Sequence, residues 1–114
     1  MVEIERVTAS SAEGVETIAG AGELNLYFAD QFKQALADAV ATGNEIVVDL
    51  RKATFIDTAI IAALIQPAKK MLERGSRLKA LVTDGRYPQY VLKTVGFADL
   101  MDIVAEAGGA KTER

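Results

Sequence analysis

Residues 45–61 read EIVVDLRKATFIDTAII and combine three local patterns. The first part, Glu45–Leu50, contains an uninterrupted apolar run of the kind found in a covered central β-strand. From Ile60 onward, apolar residues recur at helical spacing. Between these two patterns the chain places an acid and a hydroxyl side by side, Asp57 and Thr58. The stretch therefore predicts a buried strand, a short loop with two polar side chains, and the start of a helix.

The helix that begins in this stretch is predicted to run from Ile60 to about Arg74, where Gly75 closes it. Pro67 lies inside the helical pattern. Proline has no N–H, and its ring crowds the carbonyl four residues earlier, which costs roughly 3 kcal/mol in a regular helix. We therefore expect a kink or a break near Pro67. The alternative is a helix that ends early.

The N-terminal part of the chain has the pattern of a β-hairpin followed by a helix. Apolar and polar residues alternate from Val2 to Val7, Ser10–Gly14 has turn chemistry, and Val15–Ala21 is a second candidate strand. From Tyr27 onward, apolar residues recur at spacings of three and four, and Gly43 is suited to end that helix.

The C-terminal part predicts a strand, a short helix and one further short element. Arg77–Val82 is the strand, and Pro88 suits the first turn of a helix that ends near Gly96. Phe97–Val104 is the last short element, and residues 108–114 are expected to be a disordered tail.

This order of elements predicts one small α/β domain over residues 1–107. Strand-helix-strand crossovers of this length join parallel neighbours. We therefore expect a mainly parallel, four- to five-stranded sheet with an antiparallel N-terminal strand and with helices packed on the sheet.

Composition narrows the function classes. The chain has 114 residues, a net charge of −3, and neither cysteine nor histidine. Disulfides, thiolate catalysis and the commonest metal ligand and general base are thereby excluded, so we expect no enzyme activity, no metal and no cofactor. The absence of a basic stripe argues against nucleic acid. The acidic N-terminus and the lack of a long apolar run predict a cytoplasmic protein with no membrane insertion.

Four segments resemble the STAS domain, the fold of bacterial anti-sigma factor antagonists. Gly22–Asn25 is similar to the family's G-E-L-D stretch, and Val47–Leu50 to its central V-V-L-D-L strand. Phe55–Thr58 resembles its signature F-I-D-S/T, and Val91–Leu100 its V-L-x-x-x-G-L-x-x-L segment. The four segments occur in the family's order and cover most of the chain.

The resemblance implies a regulatory binding module that is switched at Thr58. In the resembling proteins, the hydroxyl at this position is phosphorylated by a partner kinase, often the anti-sigma factor itself. The unmodified form binds that partner and frees the sigma factor. The implied partner is therefore an anti-sigma factor of the serine/threonine protein kinase type. The predicted partner-binding residues are Asn25, Phe55, Asp57, Thr58, Ala59, Ile60 and Ile61.

Two residues depart from the family pattern. Ile60 replaces the usual glycine two residues after the hydroxyl, and we expect it to stiffen and crowd the start of the helix. If it also narrows the access of a kinase to Thr58, the chain has kept the hydroxyl and lost its regulation. Asn25 stands where aspartate is common, which removes one charge.

Three alternatives remain open at this stage. Asp57 and Thr58 can simply cap the helix, a role compatible with the switch. The domain can be a stand-alone STAS subunit that scaffolds a transporter ATPase or a stress-signalling assembly without phosphorylation. Finally, Asp49 and Asp57 can be imagined as a general acid and base pair, although no nucleophile or oxyanion motif accompanies them.

Overall fold

The computed structural model describes residues 6–107 as a five-stranded sheet with helices. The strands and helices, in chain order, are β1 Arg6–Ala12, β2 Val15–Leu24, a 3-10 helix Leu26–Phe28, α1 Ala29–Thr42, β3 Glu45–Ile56, α2 Thr58–Ala63, α3 Ile65–Glu73, β4 Lys79–Thr83, α4 Tyr87–Thr94, a 3-10 helix Phe97–Asp99 and β5 Asp102–Glu106. The predicted tail, residues 108–114, and the predicted strand residues Val2 to Glu5 lie outside the described part.

The strand order in the sheet is the order in the chain, β1-β2-β3-β4-β5. β1 and β2 are antiparallel, and the other neighbours are parallel, as predicted. Right-handed crossovers that all step in one direction place their helices on the same face of the sheet. The burial of β3 fits this arrangement, because Ile46, Val48 and Leu50 are fully buried whereas Val47 and Asp49 between them are only half-buried.

The β1–β2 hairpin is confirmed, but its turn is shorter than predicted. Only Glu13 and Gly14 form the loop, both with positive φ (54° and 82°), and the strand continues through Ser10 and Ser11. Two left-handed residues in succession make the type I′ turn whose twist matches that of the paired strands. The prediction that Ser10–Gly14 forms the turn was wrong because this tight loop needs only two residues.

β3 is also longer than predicted, reaching Ile56 instead of Leu50. The polar pair Arg51 and Lys52 interrupts the apolar run and hides the continuation in the sequence. The extension is held by β2, whose Leu24 lies opposite Ile56 in the register. The register between β2 and β3 shifts twice, as at a β-bulge. Two segments whose alternation of buried and exposed residues is out of step can therefore belong to one strand.

The predicted break near Pro67 is confirmed. The helical segment divides into α2 and α3 at Leu64, whose backbone N–H donates to the Ile61 carbonyl at 3.1 Å in a tightened turn. The residue at position 67 of an unbroken helix would donate to the Ala63 carbonyl, which a proline cannot do. The break therefore lies one turn before Pro67, where the missing hydrogen bond would have been.

The remaining predicted elements are present with modest shifts. β4 covers Lys79–Thr83 rather than Arg77–Val82, and α4 has Pro88 in its first turn. Gly43 ends α1 with φ 80°, as expected. The last predicted element, Phe97–Val104, is in fact a 3-10 helix followed by β5, which pairs with β4 at the edge of the sheet.

Candidate partner-binding site

The predicted site lies where β2 and β3 end side by side. Leu24 and Ile56 are register partners, and the backbone N–H of Asp57 donates to the Leu24 carbonyl at 2.9 Å. Because the strands are parallel, the loops that follow them leave the same edge of the sheet. Asn25 and Asp57, which are 32 residues apart in the chain, therefore begin two neighbouring loops.

Asp57 caps the N-terminus of α2, as predicted. Its backbone is extended, and its Oδ1 accepts a 3.1 Å hydrogen bond from the backbone N–H of Ala59. The backbone N–H groups of Ile60 and Ile61 both donate to the Asp57 carbonyl at 3.0 Å. A side-chain cap of this kind stabilises a helix by about 0.5–2 kcal/mol.

Thr58 is exposed at the first position of α2. Its hydroxyl donates a 3.1 Å hydrogen bond to Asp57 Oδ1, the same oxygen that accepts from the Ala59 N–H. The hydroxyl thus has one local partner, on a residue that is exposed. Thr58 is chemically available, and its modification would act directly on the cap.

Asn25 serves the neighbouring loop in the same way. Its Oδ1 accepts a 2.9 Å hydrogen bond from the backbone N–H of Tyr27 and so caps the short 3-10 helix. An uncharged amide oxygen is sufficient for this contact. The replacement of aspartate by Asn25 therefore keeps the loop conformation while it removes one negative charge beside Asp57.

The other predicted site residues divide into surface and core. Ala59 and Phe55 are half-buried, and the Phe55 ring stacks on Tyr87 of α4 with centroids 5.4 Å apart. The side chains of Ile60 and Ile61 are 0% and 8% exposed and belong to the hydrophobic core. The Ile60 side chain does not narrow the access to Thr58, because it is fully buried in the core.

Sequence reasoning missed the apolar residues that flank the site. Leu26 and Tyr27, immediately after Asn25, are 67% and 87% exposed. On the other side of the β3 end, Tyr87 is 42% exposed and stacks on Phe55. Aromatic side chains such as tyrosine are enriched at protein interfaces. The signal available in the sequence was an apolar pair, Leu26 and Tyr27, placed ahead of the periodic part of the helix.

A separate ionic cluster lies on the face of the sheet opposite the buried side chains. Arg51 contacts Asp49 at 2.7 Å and Glu106 at 2.8 Å, which joins β3 to the edge strand β5. The hydrogen bonds from Arg51 hold the pKa of the Asp49 carboxyl below its usual value. Asp49 and Asp57 are eight residues apart on and just beyond one extended strand, roughly 25 Å. They do not form an acid and base pair.

Residues 6–107 contain no group of three or more acidic, histidine or cysteine side chains arranged to hold a metal ion. None of the helices in that range has the length and apolar content needed to cross a lipid bilayer.

The chain-ordered sheet, its β1–β2 hairpin and the capped β3–α2 junction define a STAS-type α/β domain. A family model described as Mlab, STAS domain, matches residues 7–105. The chain therefore belongs to the STAS family, as the four sequence segments indicated. Among curated protein sequences, none matches the chain.

Solved structures with the same fold include anti-sigma factor antagonists. One from Mycobacterium paratuberculosis is 17% identical with a TM-score of 0.77, over 95% of this chain and 92% of that one. The anti-sigma factor antagonist SpoIIAA in its unphosphorylated form is 14% identical with a TM-score of 0.68, over 95% and 94%. The Bacillus cell fate determinant SpoIIAA in its phosphorylated form is 14% identical with a TM-score of 0.69, over 96% and 98%. At these identities the likeness shows the fold.

Proposed function

We propose that this domain is a cytoplasmic anti-sigma factor antagonist. It binds an anti-sigma factor of the serine/threonine kinase type through the surface around Thr58, and phosphorylation of Thr58 ends the binding. The domain is a binding module and has no enzyme activity of its own. The observation that carries the proposal is the exposed Thr58 hydroxyl at the start of α2, on an edge of the sheet that also presents exposed Leu26 and Tyr27.

The surroundings of Thr58 suit a partner in the unmodified state. Leu26 and Tyr27 offer apolar area on a loop whose shape is fixed by the Asn25 cap. Tyrosine is enriched among the residues that dominate binding energy, and a loop backbone fixed before binding loses less entropy on binding. The fold likeness to SpoIIAA, solved in both phosphorylation states, supports a hydroxyl switch on this scaffold.

Phosphorylation would change both the charge and the cap. A phosphate adds about −1.5 to −2 charges at pH 7. It would replace the hydroxyl hydrogen that Thr58 donates to Asp57 and would place this charge next to a carboxylate. Repulsion between the two groups favours a different geometry at the start of α2. At an interface fitted to a neutral hydroxyl, each 1.4 kcal/mol lost weakens binding about tenfold.

The phosphorylation test mixes the domain with the anti-sigma factor of its source cell and ATP. Mass spectrometry then locates the phosphate. The proposal expects modification at Thr58 and none in the Thr58→Ala variant. Modification at another residue, or none in the wild-type protein, contradicts the switch.

The binding test compares variants by calorimetry with the same anti-sigma factor. Thr58→Glu should weaken binding at least tenfold. Thr58→Ala should bind in the presence of ATP when the wild-type protein no longer does. Thr94→Glu is the matched control, since Thr94 is also exposed but lies at the end of α4. Tyr27→Ala should weaken binding about fivefold or more. An affinity that is unchanged in both Thr58 variants would instead favour a scaffolding role without phosphorylation.

A further inference from the structure

A groove separates α1 from the α2–α3 pair on the outer surface of the helical layer. Its volume is about 410 Å³. Its lining residues are Lys33, Ala37, Val40, Ala62, Ala63, Gln66, Pro67 and Lys70. The apolar members are small or compact, so the backbone of another element can approach the floor closely.

The rim of the groove is positively charged. Lys33 is exposed on α1 and Lys70 is exposed on α3, and none of the lining residues is acidic. Within residues 6–107, neither lysine makes a hydrogen bond or an ion pair with another side chain. Arg74 adds a third cation near the groove, where its Nη2 donates to the Val40 carbonyl at 2.7 Å and ties α3 to α1.

The groove continues the surface that carries Thr58. Ala62 lies four residues after Thr58, and residues at this spacing share one face of a helix. Both are exposed. The break at Leu64 then turns the chain into α3, which supplies Pro67 and Lys70 to the lower part of the groove. A partner that covers Thr58 therefore meets the groove along α2.

We infer that this groove binds an amphipathic α-helix of a partner protein, with acidic residues beside a narrow apolar stripe. An apolar floor that admits close approach, flanked by cations on both walls, matches that chemistry in shape and in charge. Thr58 is not among the groove residues, so helix binding here is tested on the unphosphorylated domain, separately from the switch.

The test uses a synthetic peptide of about 18 residues, long enough to be partly helical alone, with a leucine and alanine stripe flanked by glutamates. A twin peptide carries lysine at each glutamate position. Each is titrated into the isotope-labelled domain, and backbone amide shifts are followed by NMR. The acidic peptide should shift amides of α1, α2 and α3 and should bind more tightly than its twin.

Charge reversal tests the rim. Each exposed ion pair contributes a factor of up to about five in affinity. The Lys33→Glu/Lys70→Glu variant should therefore bind the acidic peptide about tenfold or more weakly and should prefer the basic twin. The matched control Lys79→Glu/Lys93→Glu has the same net charge with both changes outside the groove, and it should keep the wild-type preference.

Steric block tests the floor. Ala62→Arg adds a long side chain to the groove at an exposed position and should abolish the shifts in α1 and α3. Ala98→Arg, at an exposed position of the second 3-10 helix and outside the groove, should leave them. The inference is overturned if the acidic peptide fails to bind at millimolar concentration or if both peptides bind alike. It is also overturned if the shifted amides lie elsewhere, or if sedimentation shows a dimer that Ala62→Arg dissociates, since a second copy would then occupy the groove.

Discussion

The side chain of Ile60 lies in the core, two residues after the exposed Thr58. Truncating the Ile60 side chain shows whether it stabilises the fold by packing or blocks access to Thr58. Ile60 is 0% exposed and belongs to the hydrophobic core cluster. Replacing a buried isoleucine by alanine costs about 2–5 kcal/mol. Glycine in a helix costs about 1 kcal/mol more. Ile60→Gly should therefore lower the free energy of unfolding by about 3–6 kcal/mol.

This loss is large for a domain of this size, whose total stability is about 5–15 kcal/mol. Urea unfolding followed by far-UV circular dichroism measures it, with an unchanged slope if both proteins unfold in two states. Ile60→Val is the control and should cost only about 0.5–1.5 kcal/mol.

The competing idea is that Ile60 obstructs Thr58 and that glycine would open the site. In that case Ile60→Gly would lose less than about 1 kcal/mol and would gain phosphorylation that Ile60→Val lacks. That pair of results would refute the placement of this side chain in the core. A destabilised variant with no gain in phosphorylation of its folded fraction would support it.

Substitutions at three other positions test the cap, the sheet and the ionic cluster. Asp57→Ala should cost about 0.5–2 kcal/mol in urea unfolding through loss of the cap, whereas Asp57→Asn, which keeps an acceptor, should cost less. Gly20→Ala should cost about 1–3 kcal/mol, because a new Cβ would collide with the buried Leu24 side chain; a neutral result would show that Leu24 repacks freely. The Arg51 hydrogen bond lowers the pKa of Asp49, so the stabilisation is complete above the unfolded pKa of about 3.9 and is lost as pH falls through the lower folded value. Asp49→Asn should thus cost up to about 1 kcal/mol at neutral pH and almost nothing at strongly acidic pH, and an equal cost at both would exclude this ion pair as the cause.

The sequence predicted a helix or a strand correctly wherever apolar residues repeated with one constant period along the segment. The helical spacing before Gly43 and the Pro67 interruption have local causes, and both were found. The end of β3 was missed because its pairing with β2 is a long-range interaction. Arg51 and Lys52 look like a loop until β2 is placed beside them.

The sequence predicted the helix cap of the candidate site, but only part of its exposed surface. Asp57 and Thr58 act through neighbours one or two residues away, so their hydrogen bonds follow from local rules. Ile60 is different, because the helical period assigned it to a buried stripe while its place in the signature suggested an exposed role. In the structure α2 packs with the Ile60 side chain in the core, as the helical period indicated. The apolar pair Leu26 and Tyr27 is visible in the sequence, but its exposure depends on how β2 ends, which the pair alone does not encode.

The identity of strand order and chain order has a consequence for how the domain is made. Each strand pairs only with strands adjacent in sequence, so the sheet grows in one direction from its N-terminal hairpin. Pairing consecutive strands keeps each loop to a single crossover, so its closure costs less entropy than a pairing that skips a strand. During synthesis, each new strand meets an edge that is already formed. Once β3 has paired with β2, the end of the sheet that carries Thr58 is in place. The surface proposed to bind the partner can therefore form before β5 has left the ribosome.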